Sequence, residues 1–232
     1  MILCISSGRL LIGDPCYFDR NEIDAIASGN PPDEDYIEIR VPNTAIVEHT
    51  EKEGRVASIS LVFFQEDDGR PEVIKKLGVD TAQLVFADAT EFCARWEEEE
   101  YKDIRVYRHK TDGRTLQYRV DFPHYEAAIP SEGGQTMNQL NANGEWEPVK
   151  IDEGDLKVSY NGLCKCHDDG IGMIGDRILV TDTGWGDGQY QLKKTMTPDG
   201  RIARLTMEFI GDEDDEDEDW DQDDEDWDQE EE

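Results

Sequence analysis

The last 21 residues, Asp212 to Glu232, constrain this chain more than any other feature, because they hold 17 Asp or Glu and no Lys or Arg. Like charges at that density repel, and two Trp cannot build a core, so the segment is expected to stay disordered when free. Any fold must come from what precedes it. We therefore expect a globular domain over 1–210 and an acidic, Trp-containing tail over 211–232. About 210 residues suffice for one domain with a substantial core, or at most two small ones.

The acidity is not confined to the tail. Removing its 17 carboxylates from the chain's 56 leaves 39 against 23 Lys and Arg, so the remainder still carries about half of the total charge of −33. Phosphate-backbone binding relies on Lys and Arg to displace counterions, so direct binding to duplex nucleic acid is not expected. An anionic membrane surface would repel the chain as well. The most apolar run, Ile59 to Phe64, is far shorter than the roughly 20 residues of a spanning helix. The opening Met-Ile-Leu-Cys-Ile-Ser-Ser lacks a basic region and a long apolar stretch, so no signal peptide is expected. Five Cys is an odd number, and a chain this long needs no disulfide scaffold; both point to a reducing cytoplasm.

The remaining sequence reads as strands. Ile37, Ile39 and Val41 alternate with Glu38 and Arg40, the period of a half-buried strand. Residues 2–5 and 9–12 suggest a hairpin across Ser6-Ser7-Gly8. Residues 45–49, 56–65, 84–86, 156–160, 177–182, 188–195 and 202–209 are further strand candidates. Asp112-Gly113 marks a turn between 104–110 and 115–121, and Thr197-Pro198-Asp199-Gly200 another. A short helix fits 21–27, with Ile23, Ile26 and Ala27 on one face. Asp88 has capping-box spacing to Glu91, predicting a helix to about Glu99 with Phe92 and Trp96 on its core face. Residues 122–154, rich in Pro, Gly, Asn and Glu, read as a loosely structured excursion. The expected class is α+β and β-rich: about ten mostly antiparallel strands in a sandwich or curled sheet, with one or two helices.

Three islands carry a family resemblance. They are Ser7-Gly8-Arg9-Leu10-Leu11-Ile12-Gly13-Asp14-Pro15-Cys16-Tyr17, then Gly78-Val79-Asp80-Thr81-Ala82-Gln83 with Asp88 after it, then Thr183-Gly184-Trp185-Gly186-Asp187-Gly188-Gln189-Tyr190, followed after a short gap by Asp199-Gly200-Arg201-Ile202 and Phe209. In this order they resemble the bacterial and phage proteins grouped as the domain of unknown function 4241, although Ala82 stands where Gly is usual. The resemblance implies a β-rich domain from a bacterial or phage source and names no reaction. The islands are open to two readings. In one, the Gly residues and Asp14 and Asp187 stabilise turns. In the other, Asp14, Asp80 and Asp187 converge on a ligand pocket with Cys16, Tyr17, Trp185 and Tyr190.

Other candidates are weaker. Cys164, Cys166 and His167 are zinc-type donors, completed by Cys16 or Asp168, yet their spacing is tighter than a usual structural site; zinc or another divalent metal is the one cofactor the sequence suggests. Cys16 as a nucleophile would need His49, His109, His124 or His167 as base. Asp182-Thr183-Gly184 matches the aspartic-protease tripeptide but lacks a matching second copy. No phosphate-binding Gly loop, zinc-protease motif or nucleophile elbow is present. Arg105, Arg108, Lys110, Arg114 and Arg119 form one basic patch, readable as a solvated strand face, an anion grip or a dock for an acidic tail.

The tail repeats a seven-residue unit, Asp217 to Asp223 and Asp224 to Glu230, with Trp220 flanked by Asp219 and Asp221 and Trp227 flanked by Asp226 and Asp228. Extended chain advances roughly 3.3–3.6 Å per residue, close to the roughly 3.4 Å per phosphate of one DNA strand. Trp can take the place of a stacked base. Alternatively, a spacing of seven puts both indoles on one face of a helix formed on binding. Either route leads to a non-enzymatic interaction protein that engages a basic, nucleic-acid-handling partner, with charge-mimic inhibition as one outcome. The alternative is an enzyme or ligand- or metal-binding protein using the pocket named above.

Overall fold

The computed structural model describes residues 1–29, 36–99, 105–149, 156–166 and 170–211. In chain order the strands are β1 (Ile2–Cys4), β2 (Arg9–Gly13), β3 (Tyr36–Arg40), β4 (Thr44–Lys52), β5 (Arg55–Val62), β6 (Glu72–Val79) and β7 (Gln83–Asp88). They continue with β8 (Val106–His109), β9 (Thr115–Gln117), β10 (Trp146–Pro148), β11 (Ile171–Ile174), β12 (Ile178–Asp182), β13 (Gly188–Met196) and β14 (Ile202–Glu208). The helices are α1 (Arg20–Ser28), α2 (Ala89–Arg95), α3 (Met137–Ala142) and α4 (Tyr160–Lys165).

Two antiparallel sheets stack face to face. One has six strands in the order β1-β4-β5-β14-β13-β6, the other five in the order β11-β12-β7-β2-β3. Strand alternation decides what each face meets. In β14, Leu205 and Met207 turn into the space between the sheets, where Ile59 and Leu61 of β5 meet Leu10 and Ile12 of β2 and Leu84 and Phe86 of β7. The five-stranded sheet is buried on its other face too. Leu11, Val85, Ala87, Ile178 and Val180 point away from the sandwich and pack against Ile23 and Ile26 of α1, Phe92 of α2 and Leu163 of α4. Continuous apolar runs such as Leu10-Leu11-Ile12 and Leu84-Val85-Phe86-Ala87 follow from that double burial.

Asp88 positions α2 as its sequence predicts. Its Oδ1 accepts from the amides of Thr90 and Glu91. Its Oδ2 accepts from the Ser7 amide at 2.8 Å, tying the corner after β1 to the start of α2. The helix ends at Arg95 rather than near Glu99, because Trp96 turns extended and bridges Val158. Phe92 and Trp96 nonetheless share the core face, and Phe18 meets Phe92 edge to face at 5.0 Å. In α1, Ile23 and Ile26 are buried but Ala27 is exposed.

The β-rich class is confirmed, with fourteen strands and four helices among the described residues. Several pairings differ from expectation. Segments 2–5 and 9–12 are not a hairpin: β1 joins β4 in one sheet and β2 joins β3 and β7 in the other. Ser6-Ser7-Gly8 is a corner passing the chain between layers, with Gly8 at φ +66°. Residues 156–160 are not a strand, because the Ser159 hydroxyl accepts from the Gly162 amide and starts α4. The excursion over 122–154 is better organised than its composition suggests. Within its described part, Phe122, Ile129, Met137, Leu140 and Trp146 form a small separate core with Leu116, closed by the sheet β10-β8-β9.

Candidate functional site

Asp14 follows β2 and caps the single turn at Pro15–Tyr17. Its carboxylate is fully buried, which would be costly without partners. It has four. Oδ1 accepts from the Cys16 amide at 2.8 Å and the Thr81 hydroxyl at 2.6 Å; Oδ2 accepts from the amides of Asp80 at 2.7 Å and Thr81 at 2.9 Å. The Tyr17 hydroxyl then donates to Asp80 Oδ2 at 2.7 Å. The turn between β6 and β7 is thus clamped from the N-terminal side.

The segment between β12 and β13 clamps the same turn from the other side. Asp187 Oδ1 accepts from the Ala82 amide at 2.9 Å, and the Thr183 amide donates to the Ala82 carbonyl at 3.0 Å. The Thr183 hydroxyl donates to the Gly186 carbonyl at 2.7 Å, and the Tyr190 hydroxyl lies within bonding distance of the carbonyls of Thr183 and Gly186. Gly184 sits at φ +63°, and a Cβ there would lie 2.7 Å from Ile210 Cγ1 and 3.1 Å from the Val56 carbonyl oxygen, so no larger residue fits.

The structure therefore gathers Asp14, Tyr17, Asp80, Asp187 and Tyr190 around the turn Asp80–Ala82; both carboxylate oxygens of Asp14 are engaged there, with one each of the exposed Asp80 and Asp187 and the hydroxyls of Tyr17 and Tyr190. Cys16 is exposed, but burial of its thiol and the carboxylates of Asp14 and Asp80 push its pKa up, holding it as the weakly nucleophilic thiol. The Tyr17 phenol is pushed up mainly by its bond to Asp80. Of the four His weighed as bases, His109 bonds Asp112 and His49 faces Glu51, while His167 lies outside the described residues.

Trp185 is the exception. Its side chain is 51% exposed, with the Arg55 guanidinium 4.9 Å from its ring centre and Arg55 Nη1 donating to the Gly184 carbonyl at 3.1 Å. Trp185 and Arg55 stand in an open cleft of about 780 Å³, lined also by Glu51, Glu53, Ala82 and Asp182. Of these, Trp185 was a pocket candidate from sequence, Asp182 entered only through the aspartic-protease tripeptide and Ala82 only as part of the second island; Glu51, Glu53 and Arg55 were not singled out. Glu51 and Arg55 flank the two-residue turn of the β4–β5 hairpin, which Glu53 and Gly54 form, both at positive φ. The signal available was an acidic pair around a Gly turn, which reads as an ordinary solvated hairpin tip.

The remaining candidates are dispersed. Cys164 and Cys166 lie in and just after α4; burial pushes the Cys164 thiol up, and the described residues hold no group of three metal-type donors. In the basic hairpin, Arg114 is held by Asp112 and Glu132, and Lys110 by the Gly144 carbonyl. Arg105 lies 3.7 Å from the centre of the Tyr118 ring and Arg119 lies 5.4 Å from it, while Arg108 is exposed opposite Glu147. Asp219, Trp220, Asp221, Asp226, Trp227 and Asp228 lie outside the described residues.

Site and fold together define a β-sandwich whose motif-bearing segments lock one turn and leave one tryptophan in an open cleft. No family model, curated protein or solved structure matches the chain.

Proposed function

We propose that this chain is a non-enzymatic interaction protein that engages a basic protein partner through its acidic C-terminal segment. The observation that carries this reading is the concentration of 17 uncompensated carboxylates and two indoles in the 21 residues after Gly211. A partner that handles nucleic acid offers the matching groove, and occupying that groove would inhibit it by charge mimicry. The pocket alternative is weakened by the hydrogen bonds that already engage Asp14, Asp80 and Asp187 and by the raised pKa of Cys16.

Kinship with the domain of unknown function 4241 belongs to the same proposal. It is supported by φ +57° at Ala82, the place where that pattern has Gly. A bacterial or phage-infected cytoplasm as the setting rests on that kinship and on the odd cysteine count. No helix among the described residues is long and apolar enough to cross a membrane.

The test compares partners captured by the full chain and by residues 1–210. Partners specific to the full chain and released by salt are expected, because exposed charge pairs are screened. Identical partner sets would remove the tail from the function.

A further inference from the structure

Arg9 belongs to the first island but takes no part in the clamped turn. Its side chain is only 18% exposed. Nε and Nη2 donate to the two carboxylate oxygens of Glu38 at 2.8 and 2.6 Å, and Nη2 also donates to the Ile26 carbonyl at 2.8 Å. Nη1 makes no hydrogen bond with any described residue. The same guanidinium lines a groove of about 440 Å³ between α1 and α2. The rest of the wall is largely apolar: Ile23 of α1, Cys93 and Ala94 of α2, and Trp96 just after it. Burial pushes the Cys93 thiol up to about 11, so it stands there as a neutral, soft wall group and not as a nucleophile. At the rim Arg20 Nε lies 3.3 Å from Asp24 Oδ1. Two guanidiniums against one carboxylate make this groove locally cationic in a chain of net charge −33.

We propose that this groove binds a small apolar carboxylate. The ligand's carboxylate is met by Nη1 of Arg9, the one nitrogen of that guanidinium without a partner, with Arg20 as a second cation at the rim. Its apolar body lies along Ile23, the Cys93 sulfur and Trp96. Guanidinium-to-carboxylate hydrogen bonds are short and strong, and a largely buried guanidinium is screened less than a surface one. An apolar wall with a few placed polar groups, in a volume of roughly 300–1,000 Å³, is the usual form of a small-molecule site. A cationic ligand is disfavoured by Arg9 and Arg20, and a second negative charge on the ligand would meet Asp24. The inference goes beyond the proposed engagement of a basic partner and does not depend on it.

The chain has five Trp, so five indole N–H signals can be followed by nitrogen-15 NMR in the full chain and assigned by Trp→Phe substitution. The Trp96 indole, which donates to Glu98 Oε2 at 3.1 Å, reports on the groove. Titration with 2-naphthoate is expected to move the Trp96 signal saturably and to leave the other four in place. No movement, or movement of other indoles without Trp96, overturns the site. The neutral analogue 2-naphthylmethanol is expected to bind at least about fivefold more weakly, on the order of one charge-assisted hydrogen bond. Equal affinity of the two overturns the recognition of the carboxylate, and an equal response to acetate overturns the role of the apolar wall. Arg9→Lys keeps the charge but loses the fork, and roughly tenfold weaker binding is expected. Unchanged binding in a folded Arg9→Lys chain removes the anchor and overturns the proposal. Ala94→Trp, at an exposed helix position, fills the groove without touching the Arg9–Glu38 pair and is expected to abolish binding. Naphthoate affinity surviving in that variant would overturn the site even if Arg9→Lys does not fold. Arg20→Gln should weaken binding by roughly two- to fivefold and Arg108→Gln, outside the groove, by less than about 1.5-fold, the range of exposed, screened charges. Equal losses in these two would reduce the effect to net charge.

Discussion

Asp14 holds Thr81, 67 residues away in sequence, through both of its carboxylate oxygens, Oδ1 taking the hydroxyl and Oδ2 the amide. Two further amides complete the set, so every bond donates toward the carboxylate. Asp14→Asn keeps the shape but replaces one acceptor by an NH₂ that must face N–H or O–H donors. The expected loss is about 3 kcal/mol, from hydrogen bonds to a buried charge and a donor left unpaired. For a domain of this size that corresponds to a melting temperature lower by roughly 6–12 °C. Thermal and urea unfolding of the variant measure it, and a loss below about 0.5 kcal/mol would mean the carboxylate is not the anchor of this turn.

Ala82 has φ +57° at the end of the clamped turn, just before β7. A left-handed conformation costs an L residue about 1–2 kcal/mol, whereas Gly adopts it freely but has about 0.5–1 kcal/mol more chain entropy to lose. The first effect exceeds the second, so Ala82→Gly is expected to stabilise the domain by about 0.5 kcal/mol. Gly184→Ala is the contrasting case. Its Cβ would overlap Ile210 and crowd the Val56 carbonyl, and overpacking at positive φ is expected to cost about 3 kcal/mol or more. Urea unfolding of the two variants should give opposite signs.

Cys16 is exposed but chemically quiet on this geometry. Burial of the sulfur first, then the neighbouring Asp14 and Asp80 carboxylates, oppose the thiolate, and the thiolate is the reactive form. Alkylation by iodoacetamide near pH 8 should therefore proceed at less than about a tenth of the rate for an unperturbed thiol. Asp80→Asn removes one of the two charges, and faster labelling is the expected result. Mass spectrometry of the labelled peptide reads the rate at this cysteine alone. Prompt labelling of the unaltered chain would contradict the placement of Asp14 and Asp80 beside the sulfur.

What the sequence made legible was local. The hydrophobic alternation of Ala203, Leu205 and Met207, the cap at Asp88 and the turn at Thr197–Gly200 are each set by a few adjacent residues. Pairing across the layers was less legible. Nothing near Ser6-Ser7-Gly8 distinguishes a hairpin turn from a corner; the difference is made by Asp88, 81 residues away, accepting from Ser7. β6 escaped notice because Lys75 and Lys76 interrupt its alternation, in a strand whose pairing with β13 shifts register at Leu192/Lys193. The same applies to the candidate site. The Asp and Gly islands could be recognised as a set, but whether their carboxylates face a ligand or a backbone depends on the turn they share. The cleft depends on Glu51, Glu53 and Arg55, which sit beside Trp185 only because β4–β5 and the β12–β13 connection end at the same edge.

Acid should open the β8–β9 hairpin before it unfolds the sandwich. Asp112 Oδ1 accepts from the Arg114 amide at 3.1 Å and sits 2.9 Å from His109 Nδ1, while Oδ2 accepts from Arg114 Nε at 2.7 Å. These bonds, led by the Arg114 amide, lower the carboxyl from its ordinary value to about 2. A folded-state value below the unfolded one means the charged form is favoured by folding. The contribution is complete above the unfolded value of about 3.9 and disappears as pH falls toward about 2. Amide exchange at Gly113, which donates to the His109 carbonyl at 2.9 Å, should accelerate over that interval while amides of β5 and β14 stay protected. Asp112→Asn should remove the pH step and leave the hairpin at its acid-state protection throughout. A Gly113 amide indifferent to pH between 4 and 2, in an otherwise folded chain, would show that Asp112 does not hold this turn.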